Sequence, residues 1–122
     1  MATQKQNLDS ESAINLAPAL ARLENDRELL RDLARFYIED VPALIQEIEE
    51  GIDHADFELI TRSAHSLKGL SSNFDAHRAV AAALAIELSG RQCELQEIRE
   101  RLPELREETQ HVMASLNSEL LN

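Results

Sequence analysis

Residues 58–74 read ELITRSAHSLKGLSSNF and form the segment of the chain with the clearest helical pattern. Apolar and small residues recur there at steps of three and four, which is the spacing of a single buried helix face. The residues predicted on that face are Phe57, Ile60, Ala64, Leu67, Ser71 and Phe74. The pattern therefore predicts an amphipathic helix that packs on one side against other helices of the protein.

His65 lies outside this predicted buried face. A helix turns by about 100° per residue, so His65 falls about 140° from the centre of the stripe and its imidazole is expected to face solvent. Lys68 lies near the border of the stripe, and Arg62 and Gly69 lie further toward solvent with Ser72 beside them. An exposed neutral imidazole is a nucleophile that can act near neutral pH.

Gly69 is an unusual residue for the interior of a helix, where glycine costs about 1 kcal/mol relative to alanine. Side chains of a helix lean toward its N-terminus, so the residue at i+4 covers the surface beside the residue at i. Because Gly69 has no side chain, one side of the His65 ring is expected to stay uncovered. We interpret the glycine as space for the surface of a partner molecule, and Ser72 keeps the next turn small.

Another long helix is predicted before the His65 helix. Asp26 is its predicted N-cap, Pro42 should bend or split it, and Gly51 is its predicted stop. Its predicted buried residues are Leu29, Leu30, Leu33, Phe36, Tyr37, Val41, Leu44, Ile45 and Ile48. The His65 helix is then predicted to begin from a cap at Asp53 or Asp56.

An alanine-rich helix is predicted after the His65 helix. It covers residues 76–90, with Val80, Leu84 and Leu88 as its apolar positions and Gly90 as its end. These positions are spaced as one helix face.

The last segment of the chain shows a heptad-like pattern. Its apolar positions and one threonine are Leu95, Ile98, Leu102, Leu105, Thr109, Val112 and Leu116. Pro103 should kink this helix, and a short apolar segment at residues 14–23 is expected to form a minor helix before the long ones. The pattern predicts an all-α fold, an antiparallel four-helix bundle with a short additional N-terminal helix. Residues 1–12 are predicted to be a flexible tail and residues 13–122 the bundle domain.

The composition of the 122 residues fits one helical domain and argues against several classes of partner. The net charge of −11 repels phosphate backbones and anionic lipid, so we expect neither nucleic acid nor a membrane as partner. No apolar run is long enough to span a bilayer, and the N-terminus has no signal-peptide core. Cys93 is the single cysteine and has no partner for a disulfide or a metal cage, so a cytoplasmic setting and no metal site are expected.

The stretch AHSLKGLSSNF, preceded by DFELITRS and followed by an alanine-rich helix, resembles the motif helix of histidine-containing phosphotransfer (HPt) domains. The motif of that family is His-x-x-Lys-Gly after a small residue, which matches Ala64, His65, Lys68 and Gly69. The resemblance covers about residues 13–118. It implies a four-helix bundle in which His65 is the phosphoacceptor and relays phosphoryl groups between the aspartates of receiver domains in multistep two-component signalling.

The resemblance also implies the partners and their share of the chemistry. The partners would be receiver domains of response regulators or of hybrid histidine kinases, and the receiver would supply the aspartate, the Mg²⁺ and most of the catalysis. The protein would be a phosphocarrier without a cofactor of its own, and not an enzyme. Lys68 would orient or neutralise the phosphoryl group, and we assign Arg62, Gly69 and Ser72 to contact with the partner. An exposed docking face of small residues suits a monomer.

Some features fall outside this pattern or leave alternatives open. Many relatives have glycine where this chain has Asp75, just after the motif helix, and Arg78 is expected to join Arg62 in making the surface around His65 less acidic.

One alternative function is a helical adaptor that docks receiver domains without being phosphorylated. An enzyme with His65 as general base has little support, because no serine, cysteine or carboxylate is clearly placed to complete a nucleophile–base pair. The other histidines, His54, His77 and His111, are expected to contact solvent or to cap helices.

Overall fold

The computed structural model describes residues 12–122, and in this range the protein is entirely helical. Five α-helices follow one another, and a short π-helical turn closes the chain. They are α1 (Leu16–Arg22), α2 (Arg27–His54), α3 (Phe57–Ser72), α4 (His77–Arg91), α5 (Leu95–Leu116) and the turn Asn117–Leu121. The prediction of an all-α fold is confirmed, whereas residues 1–11 of the predicted tail lie outside the described residues.

The four long helices pack around one core. α3 lies between α2 and α4, α4 also packs against α5, and α5 returns to α2. α1 and the C-terminal turn both contact α2. The largest fully buried apolar side chains are Tyr37, Phe74, Leu30, Ile48, Ile60, Leu67, Ile86, Ile98, Leu105 and Leu116. The helix that carries His65 is therefore held along two sides and presents one remaining face to solvent.

Tyr37 links α2 to the C-terminal end of α3. Its ring meets Phe74 edge to face with the ring centroids 5.7 Å apart, and its hydroxyl lies 3.0 Å from the hydroxyl of Ser71. Burial raises the pKa of Tyr37 to about 12, and this effect exceeds the opposing effect of the hydrogen bond with Ser71. The phenol therefore keeps its proton near neutral pH and remains a hydrogen-bonding partner in the core.

Aspartate caps fix the starts of α2 and α3. Asp26 accepts a hydrogen bond from the N–H of Leu29 at 3.0 Å, as predicted. Asp56 accepts one from the N–H of Leu59 at 3.1 Å, so it is the cap of α3, and Asp53, the other candidate, lies within α2. A cap of this kind typically stabilises a helix by about 1 kcal/mol.

Gly51 and Gly90 do not end their helices, contrary to the prediction. α2 continues through Gly51 to His54 and ends where Ala55 adopts a left-handed conformation with φ 51°. α4 likewise continues through Gly90 to Arg91. Both glycines are buried, so they serve a purpose other than helix termination.

The two buried glycines allow α2 and α4 to approach α3 closely. A Cβ atom on Gly51 would collide with the side chain of Ile60, and a Cβ atom on Gly90 would collide with the hydroxyl of Thr61. Ile60 and Thr61 are neighbours in the first half of α3, so both flanking helices press on the same turn. Gly69 differs from both, because it is exposed and no neighbouring atom lies within 4 Å of a Cβ built on it.

Alanine substitutions at the three glycines are expected to change the free energy of unfolding in opposite directions. Gly51→Ala and Gly90→Ala should each lower the free energy of unfolding by about 1–3 kcal/mol, because the added methyl group overpacks a helix contact. Gly69→Ala should raise it by up to about 1 kcal/mol, because alanine is the better helix former and meets open space. Denaturant titration of the three variants measures these changes. A loss of stability in Gly69→Ala as large as in the other two would contradict the open surface beside His65.

The predicted buried face is confirmed for α3 but is partly wrong for α2 and α4. In α2, Leu29 and Phe36 are exposed. In α4, Leu84 and Leu88 are exposed and Val80 is half-buried. The buried residues of α4 are instead Ala79, Ala82, Ala83, Ile86, Glu87, Ser89 and Gly90. Small residues form most of this face because α3 and α5 approach α4 closely, and the two leucines are left on the solvent side.

Pro42 does not split its helix, contrary to one of the predicted outcomes. It lies inside the unbroken α2, and Pro103 lies inside the unbroken α5. A proline removes one helical hydrogen bond and crowds the preceding turn. Both prolines are exposed. The residues Val41 and Ile48, which lie on either side of Pro42 along α2, are fully buried.

Candidate functional site

His65 projects from the outward face of α3. Its side chain is 64% exposed, in agreement with the angle expected from helical geometry. The positions that flank it on this face, Arg62, Gly69 and Ser72, are also exposed. The side of the ring that faces Gly69 is uncovered, because a side chain is absent at that position and no neighbouring atom replaces it.

A buried carboxylate from α4 holds the His65 ring. Glu87 is 1% exposed, and its Oε2 lies 2.9 Å from Nδ1 of His65. Its Oε1 lies 2.8 Å from Nζ of Lys68, and Nη2 of Arg91 donates to Oε2 at 2.7 Å. We call these four residues, His65, Lys68, Glu87 and Arg91, the Glu87 cluster. A buried carboxylate is costly unless it is paired and hydrogen-bonded, and here three nitrogen donors from α3 and α4 surround it.

The charge state of Glu87 determines the tautomer of His65. Burial acts to raise the pKa of Glu87, but the hydrogen bonds and positive charges of Lys68 and His65 outweigh it and hold the pKa below its usual value. Glu87 is therefore ionised near neutral pH and can only accept hydrogen bonds. Nδ1 of His65 must then carry the proton that it shares with Glu87, so in the neutral imidazole Nε2 carries the free lone pair. Within residues 12–122, no hydrogen bond occupies Nε2.

The cations around His65 differ in part from those predicted. Lys68 belongs to the Glu87 cluster and is 29% exposed, so it lies next to the ring but is already paired. Arg91 joins it there and is largely exposed. Arg78, which was expected near His65, instead pairs with Glu108 of α5 at 3.2 Å. The expectation for Arg78 is wrong because its position on α4 directs the side chain toward α5.

Ser72 is used within its own helix. Its hydroxyl donates to the carbonyl oxygen of Gly69 at 2.7 Å, which satisfies one of the last carbonyls of α3. Arg62 has no carboxylate within salt-bridge distance among residues 12–122, as the ion pairs of that range show. Arg62 is therefore a cation available on the face of His65, whereas Ser72 contributes mainly a small, uncrowded surface.

Asp75 follows α3 in a left-handed conformation with φ 52°, where glycine is favoured and aspartate is tolerated. Its carboxylate pairs with Arg22 of α1 at 3.0 Å. The same guanidinium donates to the carbonyl oxygens of Ser72 and Asn73 at 3.3 Å. The aspartate in place of the common family glycine thus has a structural use, because one arginine joins α1 to the C-terminal end of α3.

Glu87 is the residue of the cluster that the sequence interpretation missed. The buried face predicted for α4 contained Val80, Leu84 and Leu88, and this prediction placed Glu87 outside the core. A stripe through the small residues Ala79, Ala83 and Gly90 is also spaced as a helix face and contains Glu87. A single carboxylate on a face of alanine and glycine was the signal available, since such a face can lie against another helix only if the charge has a partner.

The other histidines lie apart from the Glu87 cluster. His54 donates from Nδ1 to the carbonyl oxygen of Glu50 at 2.9 Å, His77 is exposed at the start of α4, and His111 lies 3.9 Å from Glu108. No group of three or more His, Cys, Asp and Glu side chains in the described part of the chain is arranged to hold a metal ion. None of the helices between residues 12 and 122 is both long and apolar enough to cross a membrane.

Comparison with known proteins identifies the family of this chain. A model of the Hpt domain family matches residues 32–115, a range that includes α3, α4 and the whole Glu87 cluster. A search of curated proteins and a search of solved structures each gave no match. Because the family model covers more than half of the chain, the protein belongs to the Hpt domain family.

Proposed function

We propose that the protein carries phosphoryl groups on His65 and exchanges them with the aspartates of receiver domains in multistep two-component signalling. Membership of the Hpt family supports phosphotransfer in such systems. The observation that carries the proposal is the hydrogen bond of 2.9 Å between Nδ1 of an exposed His65 and the buried Glu87. It fixes the ring and leaves Nε2, the nitrogen that faces away from Glu87, as the nucleophile.

The transfer step follows from this geometry. The lone pair of Nε2 attacks the phosphorus of a receiver aspartyl phosphate, an N–P bond forms, and the P–O bond to the aspartate breaks so that its carboxylate leaves with the electron pair. The imidazole becomes positively charged as the N–P bond forms, and the Glu87 carboxylate at Nδ1 stabilises this charge. The reverse reaction passes the phosphoryl group to the next receiver.

Lys68 and Arg91 are the cations that can meet the phosphoryl group. A phosphoryl group brings nearly two negative charges, and both side chains lie beside His65 through their contacts with Glu87. We assign to them the support of the phosphoryl oxygens, in exchange for part of their contact with Glu87. The Mg²⁺ and most of the catalysis are assigned to the receiver, and this protein acts as a carrier without a cofactor of its own.

Several finer features accompany the proposal. We infer that α2–α5 run antiparallel, because the short links at residues 55–56, 73–76 and 92–94 join helices that pack against each other. The partners are receiver domains of response regulators or of hybrid histidine kinases. We also infer a cytoplasmic monomer, since receiver chemistry belongs to the cytoplasm and the face of His65 has to remain free.

Chemical mapping of the phosphoryl group tests the proposal. The protein is incubated with each phosphorylated receiver domain of the source cell and Mg²⁺, and the product is digested and analysed by mass spectrometry under alkaline conditions. A base-stable, acid-labile phosphoramidate on the peptide that contains His65 is expected. Receivers that bind the protein without any phosphoryl transfer would favour the adaptor function instead, and a phosphoryl group on another residue would contradict the assignment to His65.

A further inference from the structure

A groove runs between α2 and α3 on the side of His65 where Gly69 lies. Its volume is about 590 Å³, and it is lined by Asp40, Ala43, Leu44, Glu47, Ser66, Gly69 and Leu70. Ala43, Leu44 and Leu70 supply apolar surface, and Asp40 and Glu47 supply two carboxylates one turn on either side of Ala43. We call this surface the α2/α3 groove.

The carboxylates of the α2/α3 groove have no internal counter-charge. Asp40 is exposed and Glu47 is half-buried, and the carboxylate of Glu47 accepts a hydrogen bond from the Ser63 hydroxyl at 2.8 Å. Among the ion pairs of residues 12–122, none includes Asp40 or Glu47. Thirteen other acidic and basic side chains in that range form ion pairs with one another, whereas Asp40 and Glu47 do not, so the two carboxylates are available for a charge on another molecule.

The opposite side of His65 carries an excess of positive charge. A cleft of about 450 Å³ between α3 and α4 is lined by Arg62 and Arg91 and by two carboxylates, Glu58 and Glu87, and Lys68 lies beside it in the Glu87 cluster. The surface around His65 is therefore divided, with three cations against two carboxylates toward α4 and two carboxylates without a paired cation toward α2. Such a division distinguishes the two orientations in which a partner can place its own charges, because the reversed orientation brings like charges together.

An exposed aromatic residue extends the groove along α2. Phe36 is 56% exposed and lies four residues before Asp40, so the two side chains share one helix face. Exposed aromatic side chains of this size are enriched where proteins bind other proteins. The face therefore combines an apolar contact at Phe36, Ala43 and Leu70 with negative charge at Asp40 and Glu47.

We propose that the α2/α3 groove receives a segment of the receiver domain that carries a basic side chain next to apolar ones, and that this contact orients the receiver on His65. The acidic phosphorylation pocket of the receiver then lies on the side of Arg62, Lys68 and Arg91. This inference rests on the proposed function, since it names the surface chemistry of the receivers that the protein serves. A receiver with an acidic or uncharged surface at that position would be disfavoured as a partner.

Charge reversal at Asp40 tests the groove. Asp40→Lys is expected to lower kcat/KM for transfer from the receiver that labels His65 fastest by about tenfold at low salt, with kcat at saturating receiver little changed, because a rim charge acts mainly on association. The deficit should shrink at high salt, where exposed charges are screened. Glu104→Lys on α5 makes the same change of charge at another exposed position, and it should change kcat/KM less than twofold. Circular dichroism confirms that both variants stay folded.

The outcomes separate this inference from the proposed function. Absence of transfer from every receiver would overturn the proposed function and the inference with it. Transfer that responds equally to Asp40→Lys and Glu104→Lys, or a deficit independent of salt, would overturn the inference alone. If sedimentation showed that the wild-type protein self-associates and that Asp40→Lys abolishes this, the occupant of the groove would be a second copy, and the inference would again be wrong. Restoration of kcat/KM by changing one basic receiver residue to aspartate would identify the contact.

Discussion

Replacing His65 with glutamine is expected to abolish phosphoryl transfer from every phosphorylated receiver domain. Glutamine is similar in length and uncharged, but its side-chain amide has no nucleophilic lone pair that can replace Nε2. The side chain of His65 is 64% exposed and contributes little to the core, so we expect the free energy of unfolding to change by less than about 1 kcal/mol. Transfer assays with labelled receiver phosphate measure the effect, and the label should fall below detection.

A matched substitution at another exposed histidine controls for the loss of an imidazole. His111 lies on α5 and is also largely exposed, and His111→Gln should transfer phosphate at the wild-type rate. Binding of unphosphorylated receiver should persist in His65→Gln, because the α2/α3 groove is intact. Label that remains on His65→Gln, at any residue, would contradict the assignment of the acceptor.

Replacing Glu87 with alanine should have the second largest effect, a loss of about 10–100-fold in the rate of transfer to His65. Carboxylates that orient a metal-bound imidazole typically contribute this much to affinity or activity, and we expect a similar contribution from Glu87 to the orientation of His65. Without the carboxylate, Nδ1 no longer has an acceptor, the ring can rotate, and both neutral tautomers become populated. The positive charge that forms on the ring during transfer also loses its stabilising partner. Single-turnover transfer rates measure the loss, and nitrogen NMR of the imidazole reports the tautomer.

Two further substitutions separate orientation of the ring from stability of the fold. Glu87→Gln keeps an oxygen acceptor for the Nδ1 proton, so it should preserve the tautomer and recover much of the rate. Ile86→Ala changes the neighbouring buried residue of α4 and should lower the free energy of unfolding by about 2–5 kcal/mol without touching the ring. If Ile86→Ala slowed transfer as much as Glu87→Ala at a temperature where both are folded, the role of Glu87 in orienting His65 would be wrong.

The sequence was sufficient to predict the helices whose buried residues are large. On α3 and α5 the apolar positions recur without ambiguity, and Ile60, Leu67, Ile98 and Leu105 are all buried as expected. The exposure of His65 followed from the same helical periodicity, because one clear apolar face fixes the direction of every other residue around the helix axis. Membership of the Hpt family followed from the motif around it.

The sequence was misleading where helices pack through small residues. The buried face of α4 was predicted to contain Leu84 and Leu88. Alanine and glycine instead form much of the contact of α4 with its neighbouring helices, and both leucines are exposed. Gly51 and Gly90 looked like helix stops because glycine ends many helices, whereas here they permit close approach. Both errors arise from the distances between helices, because the spacing of apolar residues along one helix carries no information about how closely another helix approaches it. Glu87 was missed for the same reason, because its burial depends on how closely α3 and α4 pack.

The contact of Gly51 and Gly90 with one turn of α3 has a consequence for the rate at which the protein can bind and release its partners. Ile60 and Thr61 are in close contact with both neighbouring helices, so we expect α3, the helix that carries the imidazole, to move little when a partner binds. Little conformational entropy of this protein is then lost on docking, and such preorganised surfaces move little when they bind. Exchange of partners would be governed by the frequency of encounter and the speed of release, with no internal rearrangement to wait for.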